Sequence, residues 1–328
     1  MTVPTGQVTP GSPNWMRTLG GTGLRVSAVT AGGGPLGSMP ELFGYEVAED
    51  DAVALVKSIL DSPIRTIDTA NGYSGGDSER RIGRAIRERG GLPEDALVIT
   101  KVDARDGDYS GPRVRASVAE SKARLGLDHL PLVHLHDPEF HDFEAMTAPG
   151  GAVDTLVTLR DEGEVGHIGL AGGDVHEMRR YLDLGMFEVL LVHNRWTLVD
   201  HSADELIHAA RARGLAVVNA AVYGGGILAD PRGGHTSYGY RPSPPEVLEA
   251  VAAMDGLATD YGTTLATAAL QASLRDPLVD TTVIGFSKRD RVEALTSATE
   301  QVLPETFWTE LDRLRPPPET WLDARPRR

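Results

Sequence analysis

The stretch Thr66-Ile67-Asp68-Thr69-Ala70-Asn71-Gly72-Tyr73 decides how this chain is read. A strand-prone run from Ile64 to Ile67 ends on an acid, and small, turn-forming residues separate that acid from a tyrosine. The pattern is a strand with Asp68 at its tip and a loop carrying Tyr73. Leu97-Val98-Ile99-Thr100-Lys101 repeats the design with a cation at its end. Leu132-Val133-His134-Leu135-His136-Asp137-Pro138 repeats it with histidine. Acid, phenol, ammonium and imidazole thus come from strand ends or the loops just after them. In a parallel barrel those positions converge on one rim, where the active sites of that architecture lie.

On either side of these strands the chain alternates between two periodicities. Residues 17–26, with Gly20-Gly21-Thr22-Gly23 at the centre, predict a short hairpin. A strand over 26–31 follows, then a helix over 49–61 with Ala52, Leu55, Val56, Ile59 and Leu60 at helical spacing. Helices are expected over 77–89, with Asp77 as N-cap, and over 113–125, 153–162, 174–184, 203–213, 245–261, 265–275, 290–299 and 304–314. Further strands are expected over 166–170, 188–193, 215–219 and 281–285. Segment 138–151 reads as an irregular loop. Segment 223–245 is too long for an ordinary strand-to-helix connection, and such loops are more often functional than idle. Eight strands alternating with helices predict an α/β chain, a (β/α)8 TIM barrel with an N-terminal β-hairpin. The barrel takes residues 15–315, between a flexible tail at 1–14 and a Pro/Arg-rich tail at 316–328.

Composition narrows the function. The 328 residues include no cysteine, which removes disulfides, thiolate nucleophiles and Cys-ligated zinc. A formal net charge of −15 argues against a nucleic-acid partner, because a phosphate backbone would be repelled. Apolar runs are of strand length only, so no membrane span is expected, and the N-terminus lacks the apolar core of a signal peptide. A cytoplasmic protein with a small-molecule substrate is the expectation; the sequence leaves oligomeric state open.

Gly32-Gly33-Gly34-Pro35-Leu36-Gly37 matches G-x-G-x-x-G after a strand, but Pro35 and Pro40 interrupt the helix that a dinucleotide turn requires. A tight rim turn is the better reading. His134 and His136 point to one side of their strand, which raises a metal-dependent barrel hydrolase with His193 as third ligand. His167 lies at the wrong end of its strand to join them. His134 reads instead as a buried, hydrogen-bonded interior histidine, and no metal is expected. Asp68, Tyr73, Lys101 and His136 make sense together as proton-transfer machinery. A free phenol has a pKa of roughly 10. A neighbouring ammonium held by Asp68 lowers it, so Tyr73 exchanges a proton with a carbonyl or alcohol oxygen that His136 orients.

On these residues the chain resembles the aldo-keto reductases. The match runs through Asp68-Thr69-Ala70-Asn71-Gly72-Tyr73, Ser78-Glu79-Arg80-Arg81-Ile82-Gly83, Ile99-Thr100-Lys101, Arg124-Leu125-Gly126-Leu127-Asp128 and Leu135-His136-Asp137. Asp108-Tyr109-Ser110 and His136-Asp137-Pro138-Glu139 resemble the branch of sugar 1-dehydrogenases (D-threo-aldose, L-fucose) and pyridoxal 4-dehydrogenase. The resemblance implies a nicotinamide dinucleotide across the barrel mouth and hydride exchange between a small carbonyl compound (aldehyde, ketone or sugar lactol) and its alcohol or oxidised form. It also implies that Asp68, Tyr73, Lys101 and His136 are catalytic. Where the family commonly places Ser-Asn against the carboxamide, this chain has Ala171-Gly172, and the usual Gln is His193, followed by Asn194. Those two become the carboxamide candidates. Gly285, Phe286, Ser287, Lys288 and Arg291 open a helix after the last strand, where backbone N–H groups and fixed cations suit phosphate. Lys288 and Arg291 slightly favour NADP(H) over NAD(H). Asp108, Tyr109, Trp196 and Tyr223 are expected to shape the substrate pocket. Some relatives of the family act as non-catalytic nucleotide-binding subunits, which stands as the alternative beside the metal hydrolase.

Overall fold

The computed structural model describes residues 7–40 and 44–324. Eight parallel strands close into a barrel: β3 (Val29–Gly32), β4 (Thr66–Asp68), β5 (Leu97–Val102), β6 (Leu130–His136), β7 (Val165–Gly172), β8 (Val189–His193), β9 (Ala216–Ala220) and β12 (Thr281–Gly285), the last returning to β3. The sequence predicts a strand at each of these eight places. Ahead of them, β1 (Met16–Thr18) and β2 (Arg25–Ser27) form the expected antiparallel hairpin. Its Leu19 and Val26 are fully buried in one cluster with Ile99, Leu132, Val189 and Ala216, so the hairpin plugs the end of the barrel where the strands begin.

Barrel stagger gathers the chemistry. Asp68 pairs in register with Ile99, Lys101 with His134, and His136 with Ala171. Each move from β4 to β5 to β6 therefore climbs two residues toward the rim. Two is the pleat period, so all three side chains keep the inward face while rising along the tilted wall.

Helices α1 (Glu49–Asp61), α2 (Asp77–Arg89), α3 (Gly111–Leu125), α4 (Phe143–Thr147), α5 (Ala152–Asp161), α6 (Val175–Asp183), α7 (Asp204–Ala212), α8 (Pro245–Asp260), α9 (Leu265–Arg275), α10 (Asp290–Glu300) and α11 (Glu305–Asp312) surround the strands. Amphipathic spacing explains α1, whose buried residues are Ala52, Val53, Leu55, Val56, Ile59 and Leu60. Helix α2 crosses α3 so closely that a Cβ on Gly83 would lie 2.0 Å from Arg124 O, which only glycine permits.

Four local expectations change. Asp77 does not cap α2; Gly76, in the left-handed region, precedes the helix, and Asp77 turns to Arg80 at 2.5 Å. The loop after β6 contains a 3-10 turn and helix α4, whose N-cap Asp142 accepts from Ala145 N. Segment 223–245 carries a small hairpin of β10 (Ser237–Tyr238) and β11 (Arg241–Pro242). The described parts of both tails are docked rather than free. Gln7 Nε2 donates to Thr299 O at 2.8 Å and Val8 is buried, while Asp323 is buried against Arg195 at 2.9 Å. Residues 1–6 and 325–328 of those tails lie outside the described residues. No described helix is long and apolar enough to cross a membrane.

Candidate active site

The rim above β4 to β6 opens into a cavity of about 330 Å³ lined by Asp68, Tyr73, Lys101 and His136 among others. Lys101 is 2% exposed and its Nζ donates to Asp68 Oδ1 at 2.5 Å and Thr69 O at 2.7 Å. Tyr73 Oη stands 3.4 Å from the same nitrogen. The Tyr73 and His136 rings meet edge to face, 5.6 Å between centroids. The four groups singled out in the sequence are thus neighbours around one space.

Their electrostatics depart from the expectation in one respect. Burial pushes the Tyr73 phenol well above its ordinary value; Lys101 pulls it down without prevailing, and Asp68, Asp137 and Asp103 push it up again. The sequence shows the ammonium but not the extent of burial. Burial also opposes charge on Lys101, yet Asp68 and then Tyr73 outweigh it and the ammonium is stabilised. The result is a phenol that keeps its proton, and so has one to share with a reacting oxygen, beside a stabilised cation.

Asp103, which the sequence reading did not single out, completes the set. Its Oδ1 lies 2.6 Å from His136 Nδ1, and its Oδ2 accepts from Gly72 N at 2.6 Å. One carboxylate therefore ties the imidazole to the Tyr73 loop. The signal was present, because Lys101-Val102-Asp103 continues the strand's alternation onto the same face. Burial disfavours the imidazolium, but Asp103 and then Asp137 overcome it, so the His136 pKa is raised. Asp137 is itself held below the usual carboxylate range: burial opposes its charge, and His136 and then His193 more than offset that. Behind the loop, fully buried Glu79 accepts from Thr100 Oγ1 at 2.7 Å and Arg124 at 3.0 Å. Arg124 also binds Asn71 O at 2.9 Å, fixing the turn that presents Tyr73.

The other expected residues separate into two groups. His193, Gly285 and Tyr223 line the cavity, and burial pushes the Tyr223 phenol up to about 12. Asn194 is buried behind it and meets His193 Nδ1 at 3.2 Å, while its backbone oxygen accepts from Tyr238 at 2.5 Å. Phe286 is 1% exposed, packed in the outer core. Ser287, Lys288 and Arg291 sit at the start of α10, which has no side-chain cap. Lys288 and Arg291 are exposed and carry no ion pair among the described residues.

Three expected pocket residues do not line this cavity. Asp108 is exposed and accepts from Ser110 N at 2.8 Å, closing a local turn. Tyr109 is buried behind β6, its hydroxyl bridging Val102 O and His136 N at 2.6 and 3.0 Å. Trp196 donates to Asp276 at 2.7 Å and stacks on His201, lining a separate cleft against α9 and α11. His134 is buried as expected, but its Nδ1 has no hydrogen-bond partner among the described residues. Among the described residues the grouping spaced to hold an ion is Asp137, Glu139 and His193, not the His134–His136 pair.

This chain matches the Aldo/keto reductase family over residues 31–316. It is 32% identical to pyridoxal 4-dehydrogenase of Microbacterium luteolum, across 90% of this chain and 96% of that protein. It is 28% identical to D-threo-aldose 1-dehydrogenase of Pseudomonas sp, across 89% and 95%. An aldo-keto reductase of Bacillus halodurans, solved in its holo form, shares the fold with a TM-score of 0.75 at 22% identity, covering 95% of this chain and 99% of that one.

Proposed function

Since the chain belongs to the aldo/keto reductase family, whose members carry out NAD(P)-dependent oxidoreduction of carbonyls, we propose that it interconverts a small aldehyde, ketone or sugar lactol and its alcohol or oxidised form, with Tyr73 as general acid/base. The observation that carries this reading is the Asp68–Lys101–Tyr73 chain of contacts, 2.5 and 3.4 Å long, opening on the cavity beside His136.

In the reducing direction Tyr73 gives its proton to the substrate oxygen, and the ammonium of Lys101 stabilises the phenolate left behind. Asp68 keeps Lys101 charged and in place. With Nδ1–H donating to Asp103, a protonated His136 turns Nε2–H toward the same oxygen and orients it. Oxidation runs these proton movements backwards.

The mouth also suits a dinucleotide. Lys288, Arg289 and Arg291, unpaired among the described residues, stand at the start of α10, where the free N–H groups of a helix favour phosphate. Gly285, Phe286 and Ser287 contribute backbone there, and Lys288 with Arg291 slightly favours NADP(H) over NAD(H). His193, steadied by Asn194, is the group facing the carboxamide. When bound, the nicotinamide supplies or accepts the hydride. Fluorescence titration with NADPH and NADH, followed by a carbonyl and sugar panel with the tighter one, tests the reading. Saturable binding with turnover is expected; absence of turnover across the panel would overturn it.

A further inference from the structure

We infer that Asp137, facing His193, is the specificity-determining residue of this site: it receives hydroxyl or amine hydrogens beside the reacting carbon and turns carboxylate substrates away. The inference rests on the function proposed above and adds the chemical class of substrate.

The charges that line the cavity cancel in pairs, with one exception. Asp68 is matched by Lys101 at 2.5 Å, and His136 by Asp103 at 2.6 Å. Asp137 has no such partner. Its nearest ring nitrogens, His136 Nε2 and His193 Nε2, are each 3.8 Å away, too far for a hydrogen bond. Among the described residues its Oδ1 is buried without any hydrogen-bond partner. An ionised carboxylate is an acceptor only, with about four lone-pair positions to fill. A ligand that fills them must bring O–H or N–H groups.

The backbone fixes this carboxylate in place. Asp137 sits at φ 45°, a left-handed conformation that a non-glycine residue adopts at some cost, and its N–H is held by Ala171 O at 2.8 Å. Among the described residues, each cation near this wall already has its own carboxylate: Lys101 has Asp68, His136 has Asp103 and Arg195 has Asp323. Glu139 stands behind, with Oε2 buried and unpartnered, 2.5 Å from where a Cβ on Gly172 would lie. Among the described residues no arginine lines the cavity, and the one lysine that does is committed to Asp68. A substrate carboxylate would meet Asp137 with nothing to receive it. A hydroxyl on the carbon next to the reacting one meets an acceptor instead, because Asp137 Oδ2 and the oxygen-orienting Nε2 of His136 lie only 3.8 Å apart.

The test compares glyceraldehyde with succinic semialdehyde, using wild type and Asp137→Asn. Asparagine tolerates positive φ well, so the variant is expected to fold. Wild type should favour glyceraldehyde in kcat/KM by about 100-fold, and the variant should shrink that preference by about 30-fold. KM should rise for glyceraldehyde and fall for the semialdehyde. Parallel changes for both substrates would mean a structural role and overturn the inference. Saturation-transfer NMR with xylitol separates this from the parent proposal, since it needs no turnover. A wild-type signal lost in Asp137→Asn supports the subsite even if no aldehyde is reduced. No signal, or a signal abolished by a chelator, overturns it, the latter by moving the trio of Asp137, Glu139 and His193 to an ion.

Discussion

Around the ends of β4, β5 and β6, charged groups come matched: Asp68 with Lys101, Asp103 with His136, and Glu79 with Arg124. Around the start of α10, after β12, Lys288, Arg289 and Arg291 are exposed and, among the described residues, unpaired. Asp137 apart, the first region is saturated by its own side chains; the second is not. A group that must keep one protonation state through a reaction profits from a fixed partner, because a buried, unmatched charge would neutralise itself. A group that must bind something arriving from water profits from having no partner to lose. The proton-handling half of the mouth is thus complete in the free protein, and the phosphate-facing half is completed by what binds.

The largest expected effect lies in the saturated half. Tyr73→Phe should lower kcat by about a thousandfold, while the cofactor dissociation constant from fluorescence titration stays within a factor of three or so of wild type, following the separation of the two regions. If the dissociation constant rose as kcat fell, the distinction between the halves would not hold. Lys101→Met leaves the carboxylate of Asp68 buried without its ammonium and should cost about 3–5 kcal/mol in urea unfolding. Adding Asp68→Leu should recover most of that stability and none of the turnover.

Asp103→Asn sharpens the same contrast through pH. The His136 pKa is raised because Asp103 and Asp137 outweigh burial, so removing Asp103 lowers it. With protonated His136 as donor, the rate of reduction falls as pH rises through that pKa. The descending limb of the kcat/KM profile should therefore move to lower pH in the variant, with a loss of about tenfold on the plateau. A limb that does not move would mean that another group titrates there. The smallest effect belongs to the unsaturated half: Lys288→Ala should weaken NADPH by about tenfold at low salt, by less at high salt, and NADH little.

Most of the barrel is legible in the sequence because its strands are β-branched runs with turn residues at each end. The tetrad is legible because Asp68, Lys101 and His136 stand where those runs stop. What escaped reading lies just past a break in periodicity. Asn194 takes φ 60°, so parity counted along β8 no longer tells which way Trp196 turns. It turns outward to Asp276. Asp137, at φ 45°, breaks parity after β6 in the same way. Tyr109 resembles a pocket residue by composition, yet its hydroxyl braces β6 from behind. The docked tails are invisible to local pattern for another reason: Gln7 and Thr299 are 292 positions apart. Net phenol acidity depends on burial, which no charge count supplies.

The contact between Arg195 and Asp323 has a consequence for how the molecule is finished. Arg195 is 4% exposed, two positions past His193, and its counter-charge comes 128 residues later. Asp200 and Glu139 also act on the guanidinium, but Asp323 is the acid that bonds it, and a buried guanidinium without its bonded acid is costly. A chain cut before Asp323, even with all eight strands made, would therefore leave Arg195 without its bonded acid on this side of the entrance.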